Sequence, residues 1–444
     1  MAKRAFIAVL LTLFGCGSAL AQVTITNPAC PYTSHPLSLS CLIPDFSATG
    51  KDPKLGAFNT SIAQVLGELP LAAPVSGVVI GFNKKLAVPE DITENLGTIL
   101  TERGNTVGKY KLFAGFTYQR FVFDAVDGTK LSNLQFVFSQ PATATTNQVV
   151  GYAQNAISAN ISQYTGILAF GITDTIDVSV IVPFERISAS AGYNNVLEAS
   201  VPSSGVCNFT GSGVCGPTSQ LTSQAVAGSA KGFGDVILIG KATIINGERS
   251  KIAAGLETRF PTGDVFNLLG TGAYGFKPYV VFSRFSGRVT PHANFGYQWN
   301  SFSVLRLSPT GASLRLPDTL DYSAGVDLGL VPRKLSVVAD LVGQHFFNAP
   351  RITAAQTISP SGANCTTGVC IPDTSQITGP LKGTSLKSIA VTNSDYNVEN
   401  MSVGVKYSPK SGLIFSANAL LKLNDAGLRS KFVPLVGISY RFGK

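Results

Sequence analysis

The chain has 444 residues, 13% of them charged and 45% hydrophobic, with 45 glycines and a formal charge of +9. The length suits one large domain, and the basic residues are scattered along it, which argues against nucleic acid as a partner. Beyond the N-terminus no run of about 18 apolar residues occurs, so a bundle of membrane-spanning helices is excluded.

The first 21 residues read as a secretory signal. Lys3 and Arg4 precede an apolar run over residues 5–14, and Ala19, Leu20 and Ala21 close a stretch of small residues before Gln22. A lipidated Cys16 is the competing reading, and bulky Phe14 fits that motif poorly.

Residues 22–104 are not strand-like. Phe58, Ile62, Val65, Leu66 and Leu69 mark one face of a short helix that Pro70 stops, and Pro74 and Pro89 interrupt the stretch beyond it. Such a segment is either a periplasmic arm or a plug folded into a lumen. The lumen is favoured, because a short amphipathic helix needs something to cover it.

From residue 105 the pattern changes to period two. Tyr110, Leu112, Ala114, Phe116 and Tyr118 share one face against Lys109, Lys111, Thr117 and Gln119, with a phase break expected at Arg120 and Phe121. Tyr164, Leu168, Phe170 and Ile172 lead through Asp174 and Thr175 into Ile176, Val178, Val180, Val182 and Phe184, which is a hairpin. Ile252, Ala254, Leu256, Thr258 and Phe260 alternate with Lys251, Gly255, Glu257 and Arg259. Near the C-terminus Phe432, Pro434, Val436, Ile438, Tyr440 and Phe442 alternate with Lys431, Gly437, Ser439 and Arg441. After an export signal, strands of this kind read as apolar outside and polar inside.

The connections sort by length. Tight ones lie at residues 174–175, 246–247, 286–288, 332–334 and 409–412, and they alternate with long irregular ones at about 124–156, 191–231, 262–274, 301–320 and 347–395, with a brief one near Asn424. Short periplasmic turns opposite long extracellular loops are the habit of outer-membrane barrels. The expected fold is therefore all-β: a transmembrane antiparallel outer-membrane β-barrel of about 12 strands over residues 105–444, with both ends on the periplasmic side. Gly437, Tyr440 and Phe442 have the spacing that barrel-assembly machinery reads in a last strand, which makes that machinery, with outer-membrane lipid and lipopolysaccharide, the expected partners. Tyr297 and Trp299 at one strand end, and Tyr440 and Phe442 at another, fit two aromatic girdles.

Six cysteines lie beyond the signal, in three close pairs: Cys30 and Cys41, Cys207 and Cys215, Cys365 and Cys370. Local disulfides are the economical expectation in an oxidising compartment. A zinc site has no CxxC and no histidine at ligand spacing to support it.

Ionisable residues in the inward phase are the candidate pore residues: Asp235, Lys241, Glu257, Arg259, Lys277, Asp327, Asp340, Lys422 and Arg441, with His292 beside Asn294. Both signs are present, so cross-strand pairs that brace the lumen are as well supported as a conduction role, and a strongly ion-selective pore is disfavoured. Residues 270–275, Gly-Thr-Gly-Ala-Tyr-Gly, match a dinucleotide fingerprint by letter only, since no helix comes after them; no cofactor is expected. His292 invites comparison with a barrel hydrolase, but no serine context surrounds it, so no catalytic residue is assigned.

Residues 232–236 (GFGDV), 253–264 (AAGLETRFPTGD), 267–272 (NLLGTG), 277–279 (KPY) and 291–299 (PHANFGYQW) resemble the outer-membrane transporters labelled as phenol meta-pathway degradation proteins. Glu102-Arg103, residues 116–121 (FTYQRF) and Asp127-Gly128 are similar as well. The resemblance runs from about Glu102 to the C-terminus and implies the barrel fold, with an association to aromatic catabolism. Passive uptake of a small solute, aromatic or otherwise poorly charged, is the first functional reading. A non-conducting barrel with a binding or structural role is the second.

Overall fold

The computed structural model describes residues 94–140, 148–201, 224–308, 312–358, 386–410 and 412–442, with short stretches at 20–23, 38–41, 60–62, 64–66, 80–83, 88–91 and 219–221. Twelve antiparallel strands close into a barrel. In chain order they are β1 (Leu112–Val126), β2 (Gln148–Gly171), β3 (Ile176–Val201), β4 (Gln224–Phe233 continued by Val236–Asn246), β5 (Ser250–Phe260) and β6 (Gly275–Arg284). The second half comprises β7 (Val289–Asn300), β8 (Thr319–Val331), β9 (Leu335–Ile358), β10 (Leu386–Lys410), β11 (Leu413–Lys422) and β12 (Leu428–Ser430 continued by Phe432–Phe442).

Each strand pairs with its neighbour in sequence. Closure comes from β12 on β1, with Phe442 opposite Leu112 and Leu435 opposite Gln119. A closed barrel leaves no backbone edge unsatisfied in lipid, which is why it can span a membrane. All five expected tight turns join strands at one end. The long connections lie at the other, and β2, β3, β9 and β10 run well past the expected loop boundaries, with Gln148 opposite Val201 and Ile358 opposite Leu386. The pairing of these two hairpins therefore extends beyond the bilayer-sized ladder, where alternation was too weak to show it. Of the short strand Leu20–Val23, which pairs with β4 from Lys231 to Gly228, Gln22 and Val23 lie beyond the expected cleavage point.

The inside-out assignment holds. Every second residue of β12 from Phe432 to Phe442 is exposed on the outer wall, as are Phe116 on β1 and Leu256 on β5. This apolar exterior is what a lipid environment requires, and it places the protein in the bacterial outer membrane. Aromatic side chains ring the outer wall from strand to strand. Tyr118, Tyr164, Phe184 and Phe233 are in successive contact, as are Phe276, Trp299, Tyr297 and Phe347, and Tyr440 meets Phe442 near the opposite end. These are the two expected girdles.

The ladder of β1 runs on through Arg120 and Phe121 without a phase break: Arg120 is exposed outside while Phe121 and Phe123 are buried inside. Only the filling of the interior changes there, from polar to aromatic. The first strand starts at Leu112, so residues 105–111 belong with the segment before the barrel.

Candidate functional site

The lumen has two differently built halves. At the periplasmic end, residues 94–111 thread across the mouth before entering β1. Their backbone is held by the wall and its turns: Glu94 N donates to Gly287 O at 3.3 Å, Arg333 N to Glu94 O at 2.7 Å, and Tyr110 N to Gly171 O at 2.7 Å. Ser336 Oγ accepts from Leu96 N at 2.8 Å, Thr243 Oγ1 donates to Gly104 O at 2.7 Å, and Asp177 Oδ2 accepts from Val107 N at 3.1 Å. The segment has no helix or strand of its own, so the barrel must satisfy its amides and carbonyls.

Charged side chains fix it further. Arg103 is 2% exposed and pairs with Asp327, Nη2 to Oδ2 at 2.6 Å and Nε to Oδ2 at 3.0 Å, and also donates to Asn95. Lys241 Nζ lies 2.5 Å from Glu102 Oε2. Lys406 Nζ donates to the carbonyls of Leu96 and Thr98. His292 stands between the two acids of β8 and β9, with Nδ1 3.5 Å from Asp327 Oδ2 and Nε2 2.8 Å from Asp340 Oδ1. Thr101 Oγ1 is 2.9 Å from the same Nε2.

A hydroxyl, an imidazole and a carboxylate in that order suggest hydrolase chemistry, but this arrangement does not support it. Asp340 competes with Thr101 for one ring nitrogen, Asp327 is committed to Arg103, and all these side chains are buried beneath the segment, where no substrate carbonyl reaches them. The cluster is a latch between residues 94–111 and the wall.

The structure thus brings together four of the candidate residues, Lys241, His292, Asp327 and Asp340, at this latch. Glu257 and Asp321 flank Lys277, each 3.1 Å from its Nζ, higher in the lumen. Asp235 occupies the break in β4 and holds the β5–β6 loop inward, accepting from Gly263 N at 3.0 Å, Thr271 N at 2.8 Å and Thr271 Oγ1 at 2.6 Å, with Arg259 Nε 3.9 Å away. Arg259 also donates to Asn300 Oδ1 at 2.6 Å. Lys422 lies at the extracellular rim, 2.8 Å from Asp425, whose carboxyl it holds below the usual range through that hydrogen bond. Arg441 is inward-facing at the opposite end, near Lys111 of the segment.

Sequence reading missed Arg103, Glu102, Asp177 and Lys406 as site residues. Lys406 was detectable, since Met401, Val403, Val405 and Tyr407 give its strand the outward phase.

The extracellular half is apolar. Phe121, Phe123, Ile161, Ile187, Leu420 and Val433 project inward from the wall, and Leu268, Leu269 and Ala273 of the inward β5–β6 loop pack with them. Ile62, from the helical residues 60–62 and 64–66, is buried in the same cluster, and Thr60 Oγ1 donates to Leu305 O at 3.1 Å. Part of the expected short helix therefore sits in the lumen; Phe58 and Leu69 lie outside the described residues. The expectation of a polar interior holds around the latch, beside which Val107, Phe113, Ile167, Ile181 and Ile237 form a smaller apolar cluster, and is corrected here. Cys30, Cys207, Cys215, Cys365 and Cys370 also lie outside the described residues, and Cys41 ends the 3-10 turn Leu39–Cys41.

Three solved barrels are similar at low identity. A NanC porin shares 8% identity over 73% of this chain and 98% of its own, with a TM-score of 0.36. A FadL homologue of Pseudomonas aeruginosa shares 11% over 75% and 90%, TM-score 0.31. The P. putida toluene transporter TodX shares 10% over 76% and 90%, TM-score 0.30. No curated protein matches the chain. Residues 138–349, most of the barrel wall from β2 to β9, match the model of the family described as "Putative MetA-pathway of phenol degradation".

Proposed function

We propose that the barrel takes up small, poorly charged solutes, aromatic ones among them, through its lumen and without an energy source of its own. The observation that carries the reading is the apolar interior of the extracellular half, from Phe121 and Phe123 to Leu269 and Val433. Transfer of an aromatic solute from water into such surroundings is favourable, whereas an ion would be excluded by the cost of desolvation. The description of the matched family, phenol degradation, agrees with that solute class.

Residues 94–111 then act as the gate. With the latch closed they cross the periplasmic mouth, so solute leaves only when the segment shifts. Liposome swelling with phenol, benzyl alcohol and a neutral sugar tests the reading: the aromatic solutes should enter protein-containing vesicles faster than protein-free ones, and the sugar should not. Failure of every solute to permeate, with the barrel shown folded by its heat-dependent gel mobility, would overturn it.

One observation favours a second reading, a non-conducting barrel with a binding or structural role. The latch gathers Arg103, Asp327, Lys241 and Lys406 under full burial, with half-buried Glu102 beside Lys241, and such a network resists displacement. The same swelling experiment on the latch variant Arg103→Leu separates the two: a conducting barrel should pass solute faster once the latch is cut, and a non-conducting one should not.

A further inference from the structure

Between the helical residues 60–62 and 64–66 and the wall of β1 and β9–β12, in the extracellular half, lies a cleft. Its apolar lining is largely aromatic. Phe121 and Phe123 form one near-parallel pair, ring centroids 6.2 Å apart at 15°, and Phe346 and Tyr396 form another, 5.0 Å apart at 17°. Val65, Val398, Leu420, Leu428 and Val433 supply its aliphatic part.

Two polar side chains in the lining stand out because they are buried and incompletely satisfied. Gln64 is 5% exposed and neither atom of its amide has a hydrogen-bond partner. Arg429 is 4% exposed; its Nη2 donates to Glu399 O at 2.8 Å and Asn400 Oδ1 at 2.7 Å, but its Nε has no partner. No ion pair among the described residues includes Arg429, in contrast to Arg103, Lys241 and Lys277, each of which has a carboxylate within reach. A buried guanidinium with no carboxylate in contact, Asp425, Asp124 and Glu399 acting on it only from farther off, is costly, and a buried amide with no partner is costly too. Both become favourable when something supplies the missing acceptor.

We propose that this cleft is a binding site for a monocyclic aromatic compound bearing an anionic acceptor oxygen, a carboxylate or a phenolate. The ring lies against Phe121, Phe123, Phe346 and Tyr396, the oxygen accepts from Arg429, and the Gln64 amide takes a second polar contact. The apolar walls supply affinity for any small aromatic, and Arg429 supplies the preference for an acidic one. The proposal rests on the uptake reading for its physiological sense, since the cleft adjoins the apolar lumen through which solute would pass.

The test is calorimetric titration of the detergent-solubilised full-length protein with benzoate, benzyl alcohol and acetate. Benzoate should bind saturably, benzyl alcohol more weakly and acetate not at all. Arg429→Gln should weaken benzoate by about tenfold or more and benzyl alcohol by less than about threefold, with Arg429→Lys in between. Val433→Phe, which fills the cleft, should abolish both; it carries the test alone if the arginine variants fail to show the heat-dependent mobility of a folded barrel. Absence of saturable benzoate binding, or binding unchanged in Val433→Phe, would overturn the site. Loss of the site with aromatic permeation intact leaves the uptake reading standing. Binding without permeation overturns the uptake reading and keeps the site.

Discussion

The two halves of the lumen fill the same barrel by opposite means. The extracellular half is packed with side chains such as Ile161, Ile187 and Leu269, whose attraction is non-directional and tolerates rearrangement. The periplasmic half is closed by a chain segment held through about one directional contact per residue, among them Arg103 to Asp327 and Lys241 to Glu102. An apolar filling can admit a guest by shifting rotamers, whereas an ionic latch is either made or broken. The contrast assigns reception of solute to one end and gating to the other.

Breaking the latch should have the largest effect. Arg103→Leu leaves Asp327 buried without its cation, a change that costs about 3–5 kcal/mol, and the strain falls on the docking of residues 94–111. The barrel wall does not depend on that residue, so heat-dependent mobility should persist while single-channel conductance in planar bilayers rises. A folded variant with unchanged conductance would remove the gate from residues 94–111.

Outer and inner walls should differ nearly as sharply. Leu256→Arg places a charge on the lipid face and should cost about 2–4 kcal/mol of barrel stability near the bilayer midplane, read as impaired assembly into vesicles. Within the apolar half, Leu269→Ala should cost about 2–5 kcal/mol through the lost side chain and the cavity it leaves, loosening the inward loop without opening the periplasmic mouth. Conductance like that of Arg103→Leu in this variant would show that the two halves are not separable.

The same contrast explains what could be read from the sequence. Turns at residues 174–175, 246–247, 286–288, 332–334 and 409–412 were legible because tight connections demand particular residues, and β5 and the C-terminal part of β12 because inward positions there, such as Glu257, Arg259, Ser439 and Arg441, are polar. The apolar half was not legible. Where Phe121, Leu420 and Val433 point inward while Val122, Leu421 and Phe432 point out, both faces are hydrophobic and the alternation that reports direction disappears. Residues 94–104 carried no periodic signal, and the alternation at Lys109, Tyr110 and Lys111 is not a strand, because the structure of the whole segment is imposed by the wall around it; charges such as Arg103 find their partners on strands more than a hundred residues away. Gly255 shows the same dependence: a Cβ there would stand 2.3 Å from the Tyr279 ring, a constraint that only the paired strand reveals.

The smallest effect separates buried from exposed pairing. Lys422 and Asp425 make a 2.8 Å ion pair much like those of the latch, but at the rim, where Asp425 is 65% exposed. Its carboxyl is depressed, so whatever stability the pair contributes is present above the ordinary aspartate range and is lost as the pH falls through the lower folded value. Solvent screens nearly all of it. Asp425→Asn should therefore leave both the thermal loss of barrel mobility and the conductance unchanged within error, at pH 7 and at low or high salt alike. If Asp425→Asn raised conductance as Arg103→Leu is expected to, distance alone would govern these pairs, and the burial of residues 94–111 beneath the wall would not be what closes the lumen.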